Sequence, residues 1–389
     1  MLLAFLLLAF SPTPLTPDVL RGFDHFYNVE YEEALAVFRK AGAADTNDPQ
    51  RHNHIAQAIL YSAMLKAGAL ESELISGTNP FLRREKMNPT AAEQAAFDDA
   101  MKAAFAKAEA QLQRNPKNAA ANYSLAVSYG LRANYSYLVR KAWYESLKDS
   151  TAARKYAQLA LDADPSFVDA KIILGLHDYI VGSLSWTYKM LGFLAGIRGD
   201  RDGGIRTLEQ VAATGINNRS DAKVLLAAIY RREKRSMQAV PLLENLIAAY
   251  PRNYLFRLEL AQMLGDLGER EKSIATVDAV ADLQRKQAPG FTKLQGEKIA
   301  FIKGNLLFWF DEYDKAVVEL QSAVKARDRL DLNTGLLACL RLGQTLDLLN
   351  RHAEAVKAYE AGIALAPDSE FARECQRYSN RQYKRNRIV

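Results

Sequence analysis

Five histidines are the first place to look for chemistry: His25, His52, His54, His177 and His352. His52 and His54 are two positions apart, which sends their rings to different sides of a helix. No Cys or acidic residue completes a metal set around them. A solvated first helical turn is the expectation there. His177 and Asp178 are adjacent, and adjacent residues on a helix do not face each other, so no catalytic dyad is implied. No H-E-x-x-H, G-x-S-x-G or phosphate-loop sequence occurs. Cys339 and Cys375, the two cysteines, exclude a disulfide-rich scaffold and a four-thiolate zinc site. They stand about one repeat apart, on helices expected to be neighbours, and are read as free thiols. The stretch Gly196 to Gly204 contains Arg198, Arg201 and, just after it, Arg206, which with free backbone N–H groups could hold an anion. Asp200 and Asp202 offset two of those charges, and an Asp-capped linker before a helix starting at Ile205 is the expectation. These residues give an enzyme nothing to work with. No cofactor and no metal is expected.

Composition agrees with a soluble globular chain. Of 389 residues, 49% are apolar, 25% charged and 10% aromatic, too apolar for a disordered chain. The formal charge of +6 is local: Arg373, Arg377, Arg381, Lys384, Arg385 and Arg387 crowd the end of the chain, with Glu374 as the acid among them. A nucleic-acid protein usually carries its basic footprint along a whole face, so no specific nucleic acid is expected. The tail reads as a solvated terminal helix, with contact to an anionic surface as the alternative. At the other end, MLLAFLLLAF is too short to cross a bilayer, which takes about 20 residues, and fits the apolar region of a secretory signal. No Lys or Arg precedes Arg21 and no A-x-A site follows. Export to the periplasm or cell envelope, with residues 1–17 cleaved or kept as a short anchor, is the expectation. The alternative is a cytoplasmic protein in which residues 1–17 are not a signal.

The elements that would position any site emerge from self-similarity. Leu342-Gly343 is followed by Leu346, Ala355, Tyr359, Gly362 and Pro367. Gly304, Leu307, Ala316, Leu320 and Ala323 repeat that register one unit earlier. Ala227, Tyr230, Ala239, Leu243, Leu246 and Pro251 give it again, followed by Ala261, Leu264, Ser273, Val277 and Val280. Ala126, Tyr129, Ala153, Ala157, Ala160 and Pro165 fit with a longer turn, and so do Gly22, His25, Ala34, Phe38 and Ala41. Small residues at the Gly343 and Ala355 positions let two helices approach, and large ones at Leu346 and Tyr359 fill the groove between them. Each pair leaves an apolar face that only stacking covers. Long alternating strand patterns are absent. The pattern resembles the tetratricopeptide repeat superfamily over most of residues 18–385. That resemblance implies an all-α solenoid of stacked antiparallel helix pairs, right-handed, without sheet.

The expected organisation is a leader at 1–17, a helix pair at 18–48, and a long helical hairpin at 49–115. Degenerate repeats at 116–214 with an insertion at 183–204 come next, then four repeats at 215–367 and a basic capping helix and tail at 368–389. The insertion, SLSWTYKMLGFLAGIRGDRDGG, together with the following IRTLEQVA, is similar to a passage of the tetratricopeptide repeat protein 39 family, which includes a yeast protein of inclusion-body clearance. That similarity implies an adaptor, not an enzyme. The first helix of each repeat is expected to line a concave face, and the register places Ile172, Tyr179, Phe301, Phe308, Lys298, Asn305 and Gln344 near it. For Phe301, Phe308 and Trp309 a place in the core is the favoured reading, since FIKGNLLFWF is dense in large apolar residues. The expected function is a scaffold that binds a protein or peptide partner along that face. The alternative is a groove for an apolar small molecule or lipid near the insertion, built on Trp186, Tyr188 and Phe193 with Tyr179.

Overall fold

Among the described residues every regular element is a helix. The computed structural model describes residues 15–70, 86–183 and 199–385. Most of the apolar leader, the tip of the 49–115 hairpin, and Trp186, Tyr188 and Phe193 of the insertion lie outside them. In chain order the helices are α1 (Pro17–Tyr27), α2 (Tyr31–Ala44), α3 (Pro49–Lys66), α4 (Ala91–Arg114), α5 (Ala119–Leu138), α6 (Trp143–Ala163), α7 (Lys171–Gly182) and α8 (Arg201–Thr214). They continue as α9 (Arg219–Arg232), α10 (Ser236–Ala249), α11 (Tyr254–Asp266), α12 (Arg270–Arg285), α13 (Gly296–Trp309), α14 (Tyr313–Lys325), α15 (Leu332–Leu348), α16 (His352–Leu365) and α17 (Glu370–Asn380). Two compact units contain them. One is Met1–Phe26, Glu30–Ser62 and Asn88–Leu226; the other is Tyr27–Val29, Ala63–Met87 and Ala227–Val389.

Six of the first-helix ends turn tightly because one residue there adopts a left-handed backbone. Val29, Lys141, Lys234, Gly268, Asp311 and Asn350 all have φ between 53° and 76°. After five of these helices the next N–H reaches back across the turn: Glu30 to His25 O, Arg235 to Tyr230 O, Glu269 to Leu264 O, Glu312 to Leu307 O and Arg351 to Leu346 O. This is the Schellman closure, which satisfies a carbonyl orphaned at the helix end. Glycine usually supplies the left-handed residue; of these six turns only Gly268 does, and Val29 is β-branched and therefore strained.

Within a pair, a glycine on the first helix makes room for a large residue on the second. A Cβ at Gly343 would overlap the Tyr359 ring, one at Gly304 the Leu320 side chain, and one at Gly22 the Phe38 ring. In the first unit α5 and α6 pack through Ala126, Ala157 and Ala160. Asn53 on α3 ties itself to α5 by donating to Ser124 O at 2.9 Å and accepting from Ser128 Oγ at 2.7 Å. α7 and α8 cross closely, with Gly175 and Gly182 against Gly204 and Arg201, where a Cβ would meet backbone atoms. Here the glycine-rich stretch finds its use. Asp200 caps α8, its carboxylate accepting the Gly203 N–H at 3.0 Å, and the helix starts at Arg201 and not at Ile205. Residues 199–204 are a capped helix start, and Gly199 and Gly204 serve helix packing.

In the second unit one apolar cluster runs from Leu258 through Phe301, Phe308, Leu336 and Tyr359 to Phe371 and Cys375. Cys339 and Cys375 are free and buried. A Cβ at Gly362 would stand 3.1 Å from Cys339 Cβ and 3.2 Å from Cys375 Sγ, so both cysteines pack on the same glycine of α16. Burial pushes each thiol up to about 12. A disulfide-exchange reagent at about pH 8 should therefore leave both untouched in the native protein and titrate both once it is unfolded, since the thiolate is the nucleophile. Rapid labelling of native protein at either site would contradict this.

Candidate functional site

The face built by the first helices of the second unit is held together by side chains that reach from one repeat to the next. On α9, Arg231 donates to Gln262 at 2.8 Å, to Asp266 at 3.3 Å and to Glu259 at 3.4 Å, all on α11. On α15, Arg341 donates through Nε to Asn305 Oδ1 on α13 at 2.7 Å and through Nη1 to its own helix's Gln344 at 2.9 Å. Lys298 on α13 pairs with Asp331 at 2.7 Å, both side chains more than nine-tenths buried. These contacts are charge-assisted, about twice as strong as neutral ones, and they fix the register of neighbouring repeats.

At the end of this face, Phe308 and Trp309 occupy adjacent positions on α13. Phe308 is fully buried, whereas Trp309 is turned out, 49% exposed. The reading of Trp309 as core is corrected: its ring stands at the last position of α13, half out of the packing that buries Phe308. The Arg341 guanidinium sits 4.8 Å from the Trp309 ring centre and 4.4 Å from that of Phe308. A second guanidinium, Arg385, sits 5.1 Å from Trp309 and donates to the Trp309 and Phe308 carbonyls, to the Tyr313 hydroxyl and to Asp311. Arg385 arrives on residues 381–385, which leave α17 and cross α15. On the way Gln382 donates to Asp347 O and the Tyr383 N–H to Asp347 Oδ2, each at 2.8 Å. Asp347, wholly buried, also accepts from the Tyr359 hydroxyl at 2.8 Å and meets His352 Nδ1 at 2.6 Å.

The residues singled out from sequence divide sharply. Ile172, Tyr179, Phe301 and Phe308 are buried, and Lys298, Asn305 and Gln344 are buried as well, their polar ends engaged in the bonds above. Trp186, Tyr188 and Phe193 lie outside the described residues. The structure brings Asn305 and Gln344 together at Arg341 and keeps Lys298 apart, at the start of α13. Motif spacing does not mark Trp309; only its exposure distinguishes it.

Among the described residues no group of three or more His, Cys, Asp or Glu is placed to hold a metal ion. His54 departs from the solvated turn expected of it. It is buried between Phe23 and Phe38, with ring centres 4.9 and 5.3 Å away and Nδ1 without a hydrogen-bond partner. Burial, helped by the Arg51 cation, lowers the imidazole to about 3. His177 is lowered too, by burial and by Arg154, against the opposing pull of Asp178. In an unfolded chain a histidine takes its proton near 6.5, so between that value and about 3 the unfolded state binds the extra proton. Stability is thus full above about pH 6.5 and declines as pH falls toward 3. A His54→Leu protein should lose less stability between about pH 6.5 and 4.5, measured by urea unfolding. An unchanged slope would remove His54 from this account.

Helix pairs of this geometry, with glycine opposite a large residue and proline beyond the second helix, are matched directly at residues 336–369 by the tetratricopeptide repeat model. Over those residues the chain matches a tetratricopeptide repeat, and the described residues are all-α, with helices packed in adjacent pairs. A second model, described as regulator of microtubule dynamics protein 1-3, matches residues 84–254. No curated protein matches the sequence. Among solved structures, yeast Tom70 is similar at 13% identity and a TM-score of 0.41, over 93% of this chain and 94% of that one. The Cut9 and Hcn1 hetero-tetramer of the APC/C is similar at 13% identity and 0.39, over 93% and 75%. The C-terminal part of a repeat protein from Cytophaga hutchinsonii is similar at 15% identity and 0.31, over 92% and 98%.

Proposed function

We propose that this tetratricopeptide repeat protein is a non-enzymatic scaffold that binds a protein partner on the first-helix face of its second unit, at Trp309. The observation that carries the reading is the half-exposed indole under two guanidiniums. Tryptophan and arginine are the residues most enriched where truncation costs binding energy, and a ring already stacked and ordered loses little entropy on docking. The buried neighbours Asn305 and Gln344 act by positioning Arg341 and do not touch the partner. Affinity capture by the full chain, compared with capture by Trp309→Ala and Arg341→Ala chains, tests this. A specific partner should be lost from both, and a partner retained equally by both would sink the assignment.

A second reading concerns what the partner is. The match of residues 84–254 to regulators of microtubule dynamics supports a cytoskeletal filament, or a protein that acts on one, as the partner class. Pelleting the full chain with polymerised tubulin measures this directly. Absence of the chain from the filament pellet at micromolar tubulin would leave the scaffold reading standing and remove the filament.

A further inference from the structure

The largest exposed aromatic pair of the described residues lies elsewhere, in the first unit, and no motif marks it. Trp143 is 68% exposed and Tyr144 64%, and Leu147, one turn on, is 37% exposed. Their rings meet edge to face at 6.0 Å. Positions 143 and 147 share a helix face, and 144 and 147 are neighbours across one turn, so the three form one apolar prow at the start of α6. Its base is rigid. Arg132 on α5 donates twice to Asp149, at 2.8 and 2.7 Å, and Ala153, Ala157 and Ala160 of α6 are buried. Leaving two such rings in water is costly, and patches of this kind mark an interaction surface.

The charges around the prow say what covers it. Arg140, Lys141 and Lys148 are exposed beside it, against one exposed carboxylate within that stretch, Glu145. Arg140 is shared with Asp98 at 3.0 Å. Lys141, two residues before Trp143, has its ammonium 5.5 Å from the Tyr137 ring, and Lys148 follows one turn after Tyr144 on α6. We propose that this prow docks on an anionic bilayer surface, with Trp143, Tyr144 and Leu147 entering the interface and Lys141 and Lys148 meeting lipid phosphates. Tryptophan and tyrosine favour the boundary where one end of the ring is apolar and the other wet. Juxtamembrane lysines gain from the negative surface potential. Rings that stand this far out of the surface need no pocket in a bilayer, whereas a protein partner would have to supply one. No helix among the described residues is long and apolar enough to cross a membrane, so the contact is with the surface.

The test is co-sedimentation of the full chain with vesicles of phosphatidylcholine alone and of phosphatidylcholine with phosphatidylglycerol in equal parts. Binding to the anionic vesicles is expected, weakened by salt. Trp143→Ala with Tyr144→Ala should lower partitioning about tenfold or more, the scale of losing two buried rings. Lys141→Glu with Lys148→Glu should lower it on anionic vesicles. All four side chains are exposed, so the melting temperature should hold in both variants. Residues 1–10 and the basic tail are present in every chain, so the comparison isolates the prow. Undiminished vesicle binding by the aromatic variant, equal binding to both vesicle types, or no binding at all would each overturn the proposal.

Discussion

An Asp331→Ala chain should unfold well below the parent protein, by about 3–5 kcal/mol, the usual consequence of removing one partner of a buried ion pair. Three losses coincide at this residue. Lys298 keeps its buried ammonium without its carboxylate. The start of α15 loses its cap, because Asp331 accepts the Thr334 N–H at 2.9 Å and the Thr334 hydroxyl at 2.7 Å. The turn at Gly68, packed directly on the carboxylate, loses its floor. Burial alone would raise the Asp331 carboxyl, but the Lys298 charge and hydrogen bond and the two Thr334 bonds outweigh it and hold it below the usual range. A carboxyl lowered on folding contributes stability that is full above its unfolded value of about 3.9 and is lost as pH falls through the folded one. The acid limb of the stability curve below about pH 4 should therefore flatten in the variant. Pairing Asp331→Leu with Lys298→Met should restore much of the loss, since a well-packed apolar pair can replace a buried ionic one. Denaturant unfolding showing a loss of under about 1 kcal/mol in the single variant would mean that the pair is a bystander.

A single methyl at Gly204 should be almost as damaging. The Cβ would be driven against the Gly175 carbonyl and the Tyr179 N–H, both backbone atoms of α7, and a backbone cannot rotate away as a side chain can. Forcing the α7–α8 crossing apart should cost about 3 kcal/mol, at the upper end of overpacking effects. Gly130 supplies the control. It sits inside α5 with nothing within 4 Å of where a Cβ would go, so Gly130→Ala should stabilise by about 1 kcal/mol through helix propensity alone. Thermal melts of the two single variants should shift in opposite directions. A shift of the same sign would mean that glycine's backbone freedom, and not the close crossing, governs Gly204.

The architecture was legible in sequence because its packing pairs recur. Gly22 with Phe38, Gly304 with Leu320 and Gly343 with Tyr359 stand at matching offsets and meet in space at each of the three places. The turns were less legible, since left-handed residues such as Lys141, Lys234 and Asp311 carry no glycine to announce them. Least legible was the first-helix face. Whether Asn305 is available to a partner depends on what stands opposite it in the next repeat, and there Arg341 takes its side-chain oxygen. That is a relation between two helices, invisible to the spacing along either. Trp143 and Tyr144 escaped for the opposite reason: they belong to no periodic pattern, and only their exposure distinguishes them.

Residues 27–29 count with the second unit, and what holds them there has a consequence for how the chain is made. Asn28 accepts the Arg252 N–H at 2.9 Å, Asn253 donates to Tyr27 O at 2.7 Å, and Asn333 donates to Ala67 O at 2.9 Å. Repeat arrays ordinarily mature from neighbour to neighbour, so that each unit settles soon after the ribosome releases it. Here Tyr27 and Asn28 wait for partners more than two hundred positions downstream. At a synthesis rate of about 5–20 residues per second, that leaves the early segment without its final contacts for roughly 10–45 seconds. During that interval the nascent chain exposes surface that the finished protein covers. Deletions near Asn253 or Asn333 should be felt at the opposite end of the polypeptide, as slower maturation and greater dependence on chaperones, before they are felt at the site of the deletion itself.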